Sequence, residues 1–558
     1  MDFFKQKITD ILKKETGLDN IPLEIPPDPK LGNFAFPCFE LARKEQKNPA
    51  VIAEELARKI SASAIIERAE AKGPYLNLFI NKAYLTKTVL EQLLHKEKTP
   101  KKKQKILVES PGPNTNKPLH LGHLRNMALG ISLSNLLRKT GAKVVNVDII
   151  NDRGIHICKS MLAYQKFGKS RKPNRKPDHF VGDFYVLYAK HEKELEQEVQ
   201  EMLQKWEAGD KKIRALWKKM NAWALKGIRE TYKRFGVKID KPYYESQTYD
   251  KGKQIVLKGL EQGIFEKDEK GAIVVDLSDI GMDKKVLLRS DGTTVYITQD
   301  IYLAIKRYED YKFDRLIHVV GSEQEHHFKA LIGTFLRLSY PFAHSVYHFS
   351  YGMISLPEGK MKSREGTVVD ADNLIDEVVS LAHAEVKKRN PKMKEKDAAK
   401  TAEIIGIGAI KFFILKYDPK TDFVYHPEES MSFEGETGPY VQYAHSRIKS
   451  ILKKYGRKVS LKKANVSLLK NDKELELVTL LGRYRETVQE AAEQYKPHLV
   501  ARLLLDISQA FNSFYHACPI LQAEEEELKL ARIALIQAVQ WVLADGLGLL
   551  GIETPERM

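Results

Sequence analysis

The chain has 558 residues, 43% hydrophobic and 30% charged, enough for about three or four domains with their own cores and too evenly mixed for a disordered chain. Lys and Arg outnumber Asp and Glu by 91 to 74, and a net charge of +17 points to a polyanionic partner, most simply a nucleic acid. Three widely spaced cysteines, Cys38, Cys158 and Cys518, exclude a disulfide framework and a CxxC zinc site, and fit a reducing cytoplasm.

Residues 1–17 (MDFFKQKITDILKKETG) read as an amphipathic helix without the long apolar run of a signal peptide. Val51, Ile52, Leu56 and Ile60 have helical spacing, and YLNLFI at 75–80 reads as a strand, so residues 1–95 form a small α+β unit. The basic, proline-broken HKEKTPKKKQK at 95–105 is a linker. From residue 106 a strand, a Pro/Gly/Asn loop, a helix at 119–140 and a strand at 143–150 make a β-α-β unit, the start of a Rossmann-type parallel sheet. Residues 168–250 carry a basic loop and two charged helices, an insertion. The α/β pattern resumes with a strand at 316–320, a helix at 324–338 and a strand at 346–356. Residues 434–558 have helical period nearly throughout, with helices at 440–454, 475–494, 499–516 and 528–543, a bundle. The apolar runs at 404–410 and 547–552 fall far short of the ~18 residues that span a bilayer, so no membrane segment is expected.

The fold expected is therefore α/β: a Rossmann-type catalytic domain at 96–433, an N-terminal α+β domain at 1–95 and an all-α bundle at 434–558. The first chemical constellation is ESPGPNTNKPLHLGH, which joins strand to helix at the carboxyl edge of the sheet. That edge binds ligands in α/β folds, and helix N-termini attract phosphate. His120 and His123 lie three apart on one face, and Gly122 between them lets a ligand approach the backbone. Two imidazole donors with helix amides can stabilise charge on a phosphate as pyrophosphate leaves.

PLHLGHLRN resembles the HIGH motif of class I aminoacyl-tRNA synthetases, and ESPGPNTNKPLHLGHLRN resembles the arginyl form in particular. The likeness extends to LGNFAFPCFELARKEQKNPAVIAEELARKI and GPYLNLFIN near the start, and to TGPYVQYAHSRIKSIL and LGLLGIETPERM near the end. GMISLPEGKMKSREGTVVD resembles the KMSK loop, here at 359–366, with Lys360 and Met361 intact. Ser363 stands where the terminal lysine is usual, so the second cation comes from Lys117, Lys362 or Arg364. In related proteins with an altered loop a lysine at the place of Lys117 is thought to substitute, and Lys117 is the choice here, with Arg364 the alternative.

The resemblance implies that His120, Gly122, His123, Met353, Lys360 and Met361 bind ATP. It also implies that Tyr296 and Asp300 hold the guanidinium end of an arginine substrate. Glu109, Asn114 and Gln324 then hold guanidinium, ammonium and carboxylate between them. Asn81 and Tyr84, an amide and an aromatic ring one turn apart, suit an unpaired tRNA base, or else are a helix cap and a core tyrosine. Tyr443, Tyr515 and the C-terminal Met558 are the candidates for anticodon contact. In NDRGIH (151–156) His156 replaces a family glutamine.

The activity implied is that of an arginine–tRNA ligase with L-arginine, ATP as Mg-ATP and tRNA(Arg) as partners. It needs no structural metal and no prosthetic group, and is expected as a cytoplasmic monomer. The resemblance further implies that the adenylate forms only with tRNA bound. Two rivals are a small-molecule adenylyltransferase of the HxGH superfamily and an inactive tRNA-binding paralogue.

Overall fold

The computed structural model describes residues 1–60, 62–95, 102–357 and 369–558. Its centre is a five-stranded parallel sheet. In spatial order the strands are Val346–Tyr351, Arg315–Gly321, Lys105–Glu109, Lys143–Ile150 and Lys241–Tyr244. Ile106, Leu107 and Val108 are all buried, the unbroken apolar run of a strand covered on both faces. Helix Leu121–Lys139 crosses from strand Lys105–Glu109 to Lys143–Ile150, and helix Glu325–Arg337 from Arg315–Gly321 to Val346–Tyr351. Glu109, Ile150, Tyr244, Gly321 and Tyr351 therefore end their strands along one edge.

The N-terminal unit pairs strand Tyr75–Ile80 with Phe34–Pro37 and Ile66–Lys72, both antiparallel. Helices Asp2–Thr16, Pro49–Lys59 and Lys82–Leu94 complete it, and Asn48 caps the second of these. The C-terminal bundle is built of helices Gly438–Tyr455, Asp472–Gly482, Tyr484–Glu493, His498–Ala517 and Glu526–Leu549.

Three expectations change. The insertion holds three helices, Pro177–Lys190, Glu192–Glu207 and Lys211–Phe235, and then the sheet's edge strand Lys241–Tyr244. That strand is only four residues long and contains Pro242, which an edge tolerates, so its sequence signal is weak. The strand expected at 346–356 breaks at Gly352, whose N–H turns to the Pro419 carbonyl at 2.9 Å, and a Cβ there would lie 2.4 Å from Asp422 Oδ1. Ile354–Ser355 then pairs with Phe423–Val424 instead. The helix expected at 475–494 splits at Arg483, whose N–H turns to the Leu480 carbonyl three residues back, at 3.1 Å. Helix Glu526–Leu549 is long and apolar enough, by length and composition only, to cross a bilayer, as the core helix of a bundle also is. Its residues Ala531, Ala534, Leu535, Ala538, Val539 and Val542 are buried, and it packs on helices Gly438–Tyr455 and His498–Ala517.

Candidate active site

A cleft of about 440 Å³ opens at the carboxyl edge of the sheet. Glu109, Lys117, His120, Gly122, His123, Gln324 and Met353 all line it, so predicted residues from three distant stretches share one cavity. His120 sits in extended backbone at the start of helix Leu121–Lys139, and its N–H donates to His123 Nδ1 at 3.2 Å. A nitrogen that accepts carries no proton, so a neutral His123 bears its proton on Nε2. Burial, then the charge of Lys117, lowers His120 to about 4. Burial, then His120 and Lys117, holds His123 well below the usual histidine range. Both rings are neutral at pH 7, and each offers a single N–H.

The two imidazole centroids are 4.0 Å apart. A Cβ on Gly122 would lie 3.1 Å from both Cε1 and Nδ1 of His120. The glycine thus makes room for the neighbouring imidazole, a different use from the ligand approach expected of it. Lys117 is half-buried beside them; burial lowers its pKa, and among the described residues no carboxylate counters that. Helix Pro177–Lys190 backs this loop, since a Cβ on Gly182 would fall 2.6 Å from Pro118 Cδ.

Arg125 ties the signature helix to the root of the second motif. Its Nη1 donates to the Met353 carbonyl at 2.9 Å, and its Nη2 to those of Pro419 and Thr421 at 2.9 and 2.8 Å. Lys360, Met361, Lys362, Ser363 and Arg364 lie outside the described residues. Past them the chain returns to the same helix: Leu121 N–H donates to the Val369 carbonyl at 3.1 Å, and Ala371 N–H to that of Leu119 at 3.0 Å. Both ends of the loop are therefore fastened to the helix that carries His120 and His123.

Of the residues expected around arginine, Glu109 and Gln324 line the cleft, while Asn114, Tyr296 and Asp300 are not among its lining residues. Tyr296 and Asp300 share the first turns of helix Tyr296–Tyr311, as their spacing predicts. Tyr296 is 79% exposed, and Asp300 Oδ2 lies 2.7 Å from His327 Nε2. Asn114 bridges Asn151 through backbone at the end of the neighbouring strand.

Residues 85–426 match the family described as tRNA synthetases class I (R), catalytic domain. Residues 2–80 match the arginyl tRNA synthetase N-terminal domain, and residues 441–558 the DALR anticodon binding domain. The chain is 47% identical to an arginine–tRNA ligase of Treponema denticola, over 97% of this chain and 95% of that one. It is 45% identical to the arginine–tRNA ligase of Treponema pallidum, over 96% and 94%. Among solved structures, the Thermus thermophilus arginyl-tRNA synthetase superposes with a TM-score of 0.85 at 30% identity, covering 98% of each chain. The chain belongs to the arginyl-tRNA synthetase family.

Within this arginyl-tRNA synthetase fold, one acid near Asp300 is marked by no sequence motif. Glu245 follows edge strand Lys241–Tyr244 directly. Burial pushes its carboxyl up to about 7, Arg153 opposes that, and Asp152 and Asp300 add to it. An acid beside two more acids, with Arg153 alone set against them, gains from a further cation. The available signal was its position at the carboxyl end of a strand, lost once the segment was assigned to the insertion. His156, the departure from the family pattern, has its Nδ1 3.2 Å from the Tyr185 hydroxyl.

The residues assigned to tRNA fall in two groups. Asn81 Oδ1 accepts the Tyr84 N–H at 3.0 Å, so Asn81 does cap helix Lys82–Leu94, and the Tyr84 ring meets Phe4 edge-on. Both also line a groove with Lys87, Lys462 and Asn465. Tyr443 and Tyr515 both meet Arg447, whose guanidinium carbon is 4.7 and 5.3 Å from their ring centroids. Met558 is half-buried against the bundle core. Asp178, His179 and Asp372 are grouped closely enough to hold a metal ion. Lys176 Nζ already donates to both carboxylates there, at 2.8 to 2.9 Å.

Proposed function

We propose that the cleft around His120 is where this arginine–tRNA ligase joins arginine to ATP. The observation that carries the reading is one cavity lined by Lys117, His120 and His123 together with Glu109 and Gln324. The first set suits a polyphosphate and the second a zwitterion. An arginine carboxylate oxygen attacks the α-phosphorus of ATP, and the bond to the bridging oxygen breaks as pyrophosphate leaves. His123 Nε2–H and the neutral His120 donate to phosphate oxygens as their charge grows. Lys117 supplies a fixed cation, and Lys360 and Arg364 of the loop supply others; magnesium arrives on ATP. The arginyl group then passes to a hydroxyl of the terminal adenosine of tRNA, and AMP leaves. Neither step needs a covalent enzyme intermediate, so positioning and charge do the work.

Asp300, with Glu245 nearby, receives the guanidinium, and Tyr296 covers it. Asn81 with Tyr84, and Tyr443 with Tyr515 and Met558, face tRNA. We assign these roles to units at 1–95, 96–433 and 434–558, working as a cytoplasmic monomer. Asp300→Ala tests the pocket. It should raise the arginine KM about 10²-fold, ~3 kcal/mol for a guanidinium left without its carboxylate, with the ATP KM unchanged. Wild-type kinetics in that variant would show the pocket to be misassigned.

A further inference from the structure

A second cavity, of about 450 Å³, lies between helix Leu121–Lys139, the end of helix Lys211–Phe235, helix Glu395–Leu415 and the turn after helix Glu526–Leu549. None of its lining residues lines the cleft around His120. Its volume falls in the range of small-molecule sites, about 300–1,000 Å³.

Lys411 lines this cavity and is only 4% exposed. An ammonium has three N–H groups to place. Among the described residues Lys411 Nζ makes one hydrogen bond, to the Gly551 carbonyl at 2.6 Å, and no ion pair. Two glycines leave the ammonium uncovered: a Cβ on Gly236 would lie 3.5 Å from Nζ, and one on Gly551 3.7 Å. The Phe235 ring centroid is 4.9 Å away. A buried cation placed in this way lacks an anion. Burial brings its pKa down to about 8, against the pull of Glu553.

The lining holds five basic and two acidic side chains. Arg234 pairs with Glu403 and with Asp376, and Arg138 has Asp240 at 3.9 Å. Lys233 and Lys238 are exposed and make no ion pair among the described residues. With Lys411 they set three positive charges against the exposed Glu553. The surplus of two is the charge of a phosphate monoester above pH ~6. Ile131, Ile404, Ile407 and Ile552 add apolar wall beside Phe235. We propose that this cavity is a second ligand site, for a small phosphate monoester with an apolar body. The phosphate pairs with Lys411, Lys233 and Lys238, and the body lies against the isoleucines. Such an occupant touches both the second half of the helix that carries His120 and His123 and the turn that ends the bundle's last helix.

Calorimetric titration of the full-length protein with phenyl phosphate, a monoester with a flat apolar body, tests the proposal. Lys411→Met should weaken binding at least about tenfold and Lys238→Ala about threefold, while Lys117→Ala, which alters the cleft instead, should leave it unchanged. Phenol and inorganic phosphate, the two halves of the probe, should each bind at least about tenfold more weakly than the whole. Lys238 is exposed, so its variant carries the comparison if Lys411→Met does not fold. No binding at ~10 mM probe, binding that the Lys411 and Lys238 variants both retain in full, or binding lost in Lys117→Ala would overturn the proposal. Inorganic phosphate or phenol as tight as the ester would overturn it too, since the cavity would then recognise only half of the probe. Displacement of the probe by an equimolar amount of tRNA would give these lysines to a nucleic-acid backbone and likewise overturn it.

Discussion

Replacing Lys117 by Ala removes the one fixed cation that lines the cleft among the described residues. Lys117 lies in the loop that enters the cleft three residues before His120, and among the described residues no carboxylate offsets the effect of burial on its ammonium. Its charge is thus free to act on substrate. Two unit charges 4 Å apart interact by about 4 kcal/mol at an effective dielectric of 20, an upper bound at this half-buried position. Loss of a single preorganised donor costs about 3–4 kcal/mol, so we expect adenylate formation to slow by roughly 10²–10³. ATP affinity should change little, because the charge that matters develops as pyrophosphate leaves. Single-turnover formation of arginyl-adenylate at saturating tRNA is the assay, with Lys362→Ala and Arg364→Ala run beside it. A full rate in Lys117→Ala with a collapsed rate in Arg364→Ala would assign the missing cation to the loop and refute this reasoning.

The acid at Glu245 gives a pH dependence. With its pKa raised to about 7, it must lose a proton before it can pair with a guanidinium. The arginine KM should be flat above pH 7 and rise as pH falls below it, up to about tenfold per unit, and Glu245→Gln should abolish the slope. A wild-type KM independent of pH from 6 to 8 would remove Glu245 from the site. Gly122→Ala should displace the His120 ring, since the new Cβ meets it at 3.1 Å, and slow adenylate formation about tenfold in a normally folded protein. Unchanged single-turnover rates would show that the ring has room to give. Both histidines being neutral, the rate of activation should show no titration between pH 6 and 7 that His120→Asn removes; such a titration would mean that a charged imidazole takes part.

The architecture was legible wherever period and burial coincide. KILVE, KVVNVDII and the alternation of strand with helix led to the parallel sheet, and the 3.6-residue pattern led to the bundle. The His120 segment was legible as chemistry because its residue types sit where a strand meets a helix. Lys241–Tyr244 was missed because a four-residue edge strand with a proline has neither length nor alternation, and Glu245 went with it. The split at Arg483 and the strand break at Gly352 depend on what the backbone touches, which no local pattern records. The neutrality of the histidines follows from burial and from Lys117, and the Arg307–Glu109 pair joins positions 198 residues apart in the chain.

The central claim is that this chain selects arginine and attaches it to tRNA. Aminoacylation of total tRNA, run separately with each of the twenty amino acids and ATP, tests it most directly. The account predicts stable charging with arginine alone, accompanied by release of AMP and pyrophosphate. Charging with a different amino acid, or arginine-dependent adenylate formation with no transfer to any tRNA, would contradict it.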